Sequence, residues 1–391
     1  MSEMQLACAA MPLNAESSVY ALVAGSREGM KSLLGSRSEN LQRRIDPLEW
    51  AVKPEVRCLI GDEGTDVSIQ ADERENPQTL PGMAVKLLFL RYQAHLSGWT
   101  VLPCVSLFHN AAHLQEAMIA CSLNWKLPAA FLQWLVTENT FCSTMTDCAE
   151  WLIETDKPLP VPEMAEAVRY VHDLQPYALR KQWMLGGAGV ITAAVGALCG
   201  MNTIGAIMRD GDFRGLLGKA LTEEIMPGLK ITREEGLQYA ARVCAYLENA
   251  CGEEAWPAIG ENLLARFVAC ALPALAAFEK ENGVLPHCLC FALSSLIMLY
   301  AGVRRNGEGE YRLPTEEGDA PVLEQEYALA AFSRMSCDMP PESLAYAALS
   351  DYEIWGCDLR EIEGLEDRVA DQLRDMQLLG AKNAMIRAAA L

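Results

Sequence analysis

Positive charge is scarce in this 391-residue chain. Its 32 Lys and Arg residues stand against 52 Asp and Glu, a net of −20. No basic arm or basic helix breaks the pattern, so a nucleic-acid duplex or an anionic membrane surface would be repelled. A disulfide framework is also missing. The fourteen cysteines are irregularly spaced, and Cys121, Cys199, Cys244 and Cys270 lie inside apolar helical patterns, where a thiol acts as a small hydrophobe. That usage fits a reducing cytosol. Cys288-Leu289-Cys290 beside His287 has no second pair at zinc spacing, so no metal site is expected. The opening MSEMQLACAAMPLN has an acidic residue where a signal peptide carries positive charge, and the expected location is cytoplasmic. Repeats, low-complexity segments and a Pro/Ser linker are absent. So is G-x-G-x-x-G: Ala24-Gly25-Ser26-Arg27-Glu28-Gly29 has two glycines at the wrong spacing.

What is present divides the chain in two. Residues 1–175 alternate short β-like runs (Gln5–Met11, Val19–Ala24, Val56–Ile60, Trp99–Pro103) with helical ones (Thr79–His95, Ala111–Asn124), the signature of a parallel α/β domain. Trp125–Asp147 reads as helical from Pro128, and Ala149–Glu154 and Val168–Asp173 as extended. Residues 176–391 read as helical throughout, with a capping box at Thr232–Glu235, long helices at Glu261–Lys280 and Leu285–Ala301, and an amphipathic last helix bearing Leu365, Val369, Leu373 and Met376. Asn306–Asp319 is the one long polar loop. Pro176–Met208 opens this second part: Arg180 and Lys181 precede a charge-free run, Gln182–Met208, that holds six glycines. Such a run is a membrane span, a buried helix or an active-site hinge. The glycines, Asn202-Thr203 and the lack of aromatic belts argue against a span.

Several separated segments resemble the long-chain, zinc-independent polyol and hexuronate dehydrogenases, the tagaturonate reductases (altronate oxidoreductases) above all. They are Leu127–Asp147, Trp151–Glu154, Pro176–Lys181, Met201–Pro227, Leu285–Gly302 and Asp351–Leu373. The resemblance implies a Rossmann-like domain followed by a helical domain. It also implies NAD without a metal, and a sugar acid or polyol as substrate. Lys181 falls on the family's general acid/base, Asn110 on an active-site asparagine and Asp147 on a cofactor-side aspartate. Hydride addition to a carbonyl makes an alkoxide, so a proton donor and fixed hydrogen-bond donors must meet that oxygen.

The family motif places Asn five residues after the lysine and His three further on. Here those positions are Gly186 and Gly189. Losing one oxyanion donor costs about 10²–10³ in rate. Ala111 follows Asn110 where glycine is usual, and Cys148 follows Asp147 where arginine is usual. Gly61-Asp62-Glu63-Gly64 puts two carboxylates where a pyrophosphate would lie. The family's glycine-rich first turn has no counterpart, so the Rossmann-like domain is expected to be N-terminally truncated and NAD binding weakened. Each residue also has a plainer reading: Lys181 a leftover interface lysine, Asn110 the N-cap of a helix starting at Ala111, and Asp147 a cap or solvated side chain. Three functions stand open. They are an eroded hexuronate dehydrogenase, a non-catalytic sugar-acid-binding or partner protein (pairing with itself or an active paralogue), and an active reductase using Lys181.

Overall fold

The computed structural model describes residues 7–12, 20–25, 45–61, 74–105, 107–148, 150–157, 159, 167–201, 203–249, 262–307, 309–315, 318–322 and 324–391. The chain forms two compact units, Met1–Ala178 and Leu179–Leu391.

In the first unit, β1 (Ala7–Pro12), β2 (Tyr20–Gly25), β3 (Val56–Gly61), β4 (Thr100–Pro103) and β5 (Thr140–Phe141) form one sheet in that order. β1 pairs antiparallel with β2, and β2 through β5 are parallel. Their sequences are nearly unbroken apolar runs because both faces are covered. Alternate residues separate the faces. Leu22, Ala24, Leu59 and Val101 pack among α2 (Leu80–Gln93), α3 (Asn110–Asn124) and α4 (Ala129–Thr137). Ala21, Val23, Cys58, Ile60 and Leu102 meet Trp151 and Ile153 on the other side. Those two belong to a second sheet, β6 (Thr144–Asp147), β7 (Glu150–Glu154) and β8 (Ala167–Val171), with β7 central. A short helix, α1 (Pro47–Ala51), precedes β3 and is capped by Asp46.

Two expectations fail here. The helix from Pro128 ends at Thr137 instead of reaching Asp147, because Thr140, Thr144 and Thr146 suit strands and enter β5 and β6. Asn110 does not cap α3. The helix begins at Asn110, after His109 in the left-handed region (φ 53°), and no side chain caps it.

In the second unit, α5 (Gln175–Arg180), which begins in the first, runs into a π-helical turn, Lys181–Gly186, and then α6 (Gly187–Leu198). A second π turn, Ala220–Ile225, follows the helix Gly211–Lys219. Further on come α7 (Arg233–Asn249), α8 (Leu263–Cys270), α9 (Leu272–Asn282), α10 (His287–Tyr300) and, near the end, α11 (Leu365–Leu379). The Thr232 hydroxyl accepts from Glu235 N at 3.2 Å, half of the expected capping box. The helix expected over Glu261–Lys280 is, from Leu263 on, two helices, broken at Ala271 with Pro273 in the first turn of the second, and Glu261 lies outside the described residues. Asn306–Asp319 is not simply a loop: Arg304–Arg305, Tyr311–Thr315 and Gly318–Pro321 form a small antiparallel sheet. α6 and α10 form the center of this unit, and nearly every residue of each is buried. Among the described residues no helix is long and apolar enough to cross a membrane.

Candidate functional site

In the first unit, Asn110 and Asp147 are both tied to β6. Asn110 is fully buried. Its Nδ2 donates to Val105 O at 3.0 Å and to Thr144 O at 2.8 Å, and its Oδ1 accepts from Thr144 N at 3.1 Å. The side-chain amide thus pairs with Thr144 as a neighbouring strand would, satisfying both polar groups of a buried peptide. Thr144 Oγ1 in turn donates to Pro103 O at 2.7 Å. Asp147 closes β6. It is buried, and its Oδ1 accepts from Cys148 N at 2.7 Å. The amide hydrogens of Asn110 are already committed to two carbonyls. As placed, it holds the start of β6 against the loop after β4.

Lys181 opens the π turn of the second unit and is half-buried. Two neighbours fix the turn. Arg180 is buried with its guanidinium 4.0 Å from the Tyr239 ring on α7, a ring that Arg242 also approaches at 5.5 Å. Gln182 Nε2 donates to Ala269 O of α8 at 2.8 Å. The π geometry matters for spacing. Five residues along an α-helix lie roughly 140° apart around the axis. Hydrogen bonding from i to i+5 puts more residues in the turn and brings residue 186 nearer to the side of residue 181. Lys181, Gly186 and Gly189 therefore share one stripe, as a Lys-x₄-Asn-x₂-His motif requires.

The stripe is not open over its glycines. A Cβ at Gly186 would stand 2.7 Å from Cys270 Sγ, and one at Gly189 would stand 3.1 Å from Arg266 Nη2. Cys270 and Arg266 are four residues apart, on one face of α8, and cover the two positions where the motif has side chains. Burial pushes the Cys270 thiol up from its ordinary value, with Arg266 opposing. Sequence reasoning missed both residues. The available signal was Arg266 itself, the single charge in the apolar helix LLARFVAC.

Elsewhere in this unit, the buried Glu224 of the second π turn accepts from Cys288 N at 2.8 Å and Leu289 N at 2.9 Å, the first amides of α10. Burial raises its carboxyl above the usual range, against these hydrogen bonds. His287, next to Cys288 in sequence, is held below its ordinary value by burial, then by Arg368, whose guanidinium is 3.1 Å from Nδ1. Cys288 and Cys290 are buried, and burial pushes both thiols up. Among the described residues no three His, Cys, Asp or Glu side chains are arranged to hold a metal ion. The strand-to-helix segments in which a pyrophosphate would be expected, residues 26–44 and 62–73, lie outside the described residues, and so does the Asp62-Glu63 pair.

Comparison with known proteins agrees with this architecture in order and extent. The mannitol dehydrogenase Rossmann domain matches residues 39–166, and the mannitol dehydrogenase C-terminal domain matches residues 173–377. The chain belongs to the mannitol dehydrogenase family. Among relatives of this family, the altronate oxidoreductase of Yersinia enterocolitica is 30% identical over 395 residues, covering 90% of this chain and 80% of that protein. That of Klebsiella pneumoniae strain 342 is 30% identical over 380 residues, covering 86% and 77%. A D-sorbitol dehydrogenase in substrate-free form shares the fold with TM-score 0.66 at 17% identity, over 87% of this chain and 76% of that one. Pseudomonas fluorescens mannitol 2-dehydrogenase, in a ternary complex with NAD and D-mannitol, gives 0.53 at 14%, over 97% and 82%. A Rossmann-like domain followed by a helical domain is therefore the fold, and polyol or hexuronate dehydrogenases are the kin.

Proposed function

We propose that this protein is a cytosolic hexuronate-binding member of the mannitol dehydrogenase family in which hydride transfer is weak or absent. One observation carries the proposal. The places of two motif side chains are glycines, and Cys270 and Arg266 cover them. A missing donor in an open stripe could be replaced by water. Here neighbouring side chains take the space, and the thiol is a weak hydrogen-bond donor. Lys181 is the one motif group present at its expected place and is the proposed residual acid/base. The likeness to altronate oxidoreductases supports a sugar acid as the ligand. Family membership and the NAD-bound relative support a nicotinamide cofactor, which would supply the hydride. The described residues contain no cradle that tests its fit, so the chemistry assigned here is confined to the stripe. There Lys181 holds a proton near the ligand oxygen, and Cys270 and Arg266 of α8 stand beside the glycines.

The test is titration of the purified chain with NADH, followed by assay on tagaturonate and fructuronate. We expect thermal stabilisation by a hexuronate with turnover at or near background. NADH-dependent turnover at an ordinary enzyme rate, about 1 s⁻¹ or more, that disappears in Lys181→Met would overturn the eroded reading and favour an active reductase.

A further inference from the structure

On the side of α8 away from the lysine stripe lies a groove that contains no motif residue. Successive helical residues turn by about 100°, so Leu264, Ala265 and Val268 lie on the far side from Arg266 and Cys270. They line a groove of about 550 Å³, within the roughly 300–1,000 Å³ of small-ligand sites. Its other walls come from the helix Glu326–Phe332 and from Tyr352–Trp355. Two of the lining rings are open, Tyr327 at 50% and Tyr352 at 62% exposed. Trp355 is buried and fixed. Its Nε1 donates to Ala348 O at 2.7 Å, and its ring meets Phe267 edge-on at 6.1 Å.

The charge of the lining has one sign. Among the described residues of the groove there are two carboxylates, Glu324 and Glu353, and no Lys, Arg or His. Glu324 is held in place, for its Oε1 accepts from Leu264 N at 2.7 Å and from the Tyr300 hydroxyl at 2.9 Å. Burial raises its carboxyl above the usual range, a cost that an entering cation would relieve. Glu353 is exposed. Arg334, 4.0 Å from it, is exposed as well and is shared with Asp351 at 3.8 Å. We propose that this groove binds a small organic cation with a guanidinium head. Carboxylates attract the charge, and open aromatic faces attract it through the ring quadrupole. A guanidinium suits the place better than an ammonium. It is planar, so it stacks on tyrosine, its N–H fork matches a carboxylate, and its weaker hydration lowers the cost of entering a largely apolar groove. The ligand is opposite in charge to a sugar acid and touches no residue of the stripe, so the proposal stands apart from the function proposed above.

Butylguanidinium carries one such head on an apolar tail. Calorimetric titration of the full chain at low salt should show one saturable site, about threefold or more tighter than for butylammonium. Glu353→Gln and Tyr352→Leu change exposed side chains, and each should weaken binding about two- to fivefold. Glu281→Gln, an exposed acid outside the groove, should leave it unchanged. Absence of saturable binding overturns the proposal. So does equal weakening by all three variants, which would mean only a diffuse attraction to a chain of net charge −20. Binding that ignores Glu353→Gln and Tyr352→Leu overturns it too. The peptide acetyl-Gly-Arg-Gly-amide should bind no tighter than butylguanidinium. Binding at least about tenfold tighter would make the groove a docking site for a protein segment and overturn the small-molecule occupant. A failed titration leaves the hexuronate reading untouched, because that reading is tested with a different ligand.

Discussion

The two units treat their inherited site residues in opposite ways. In the α/β unit the motif side chain is retained and its hydrogen bonds are turned inward: Asn110 is buried and bonded to Val105 and Thr144. In the helical unit the motif side chains are gone and the space over them is covered by Cys270 and Arg266, while Lys181 remains half-buried. Retention of a residue type thus says little about retention of its role. Asn110, which the resemblance assigns to a site, has the hydrogen bonds of a strut. Gly189, where the resemblance implies a histidine, has a polar group beside it.

The largest expected effect tests the strut. Asn110→Ala would strip partners from Thr144 N and from two buried carbonyls. Each unsatisfied group costs about 1–3 kcal/mol, so a loss of about 3–5 kcal/mol is expected. The measurement is urea unfolding followed by near-UV CD. Asn110→Asp should be nearly as costly, because a carboxylate cannot donate to the carbonyls of Val105 and Thr144. A loss below about 1 kcal/mol for both variants would show that Asn110 is not structural, and the contrast between the units would collapse.

Next is the analogous buried polar group of the helical unit. Glu224→Ala removes the acceptor for Cys288 N and Leu289 N, and about 2–4 kcal/mol is expected. Glu224→Gln, which keeps one acceptor, should lose about half of that. The pH dependence has a definite sign. Because the folded-state carboxyl titrates above its unfolded value, the folded state binds more protons in the window between the two. Glu224 therefore favours the folded state below its unfolded value, and that contribution is lost as pH rises through its raised folded value. In the Gln variant this component of the pH profile should vanish.

The covered glycines come third. Gly186→Ala should destabilise by about 1–2 kcal/mol, since its Cβ meets Cys270 Sγ at 2.7 Å and something must shift. Gly189→Ala should cost less, because its contact is the far end of a flexible side chain at 3.1 Å. Cys270→Ala in the Gly186→Ala background should recover most of the loss. A double-mutant cycle with no coupling would mean that Cys270 does not fill the missing side chain's space.

These contrasts also mark how far sequence carries. The strands of the first unit were legible because both of their faces are buried, and Leu22, Leu59 and Val101 sit in unbroken apolar runs. The amphipathic α11 was legible from its stripe. The break at Ala271 could have been read from Pro273, and the hairpin Tyr311–Pro321 was hidden by its polar, glycine-containing sequence. The site was legible only in part. Lys181, Gly186 and Gly189 are close in sequence, and their spacing identifies them. The residues that decide what those positions do are remote: Thr144 lies 34 residues from Asn110, and Cys270 is 84 positions after Gly186 (270 − 186). No local pattern encodes such contacts, because tertiary packing sets them.

The smallest expected effect on stability is the sharpest test of the contrast. Lys181 is half-buried at the start of a turn to which Arg180 and Gln182 also contribute contacts. Lys181→Met keeps most of the aliphatic stem, so unfolding should change by no more than about 0.5 kcal/mol, as for most partly exposed positions. Function should respond the other way. If Lys181 supplies the remaining acid/base, any residual NADH-dependent turnover of tagaturonate should fall to background in this variant, while binding of the sugar acid persists. Asn110 would then matter for folding and Lys181 for chemistry. A Lys181→Met protein that unfolds as readily as Asn110→Ala would mean that the helical unit has absorbed its motif lysine into the fold just as the α/β unit absorbed its asparagine.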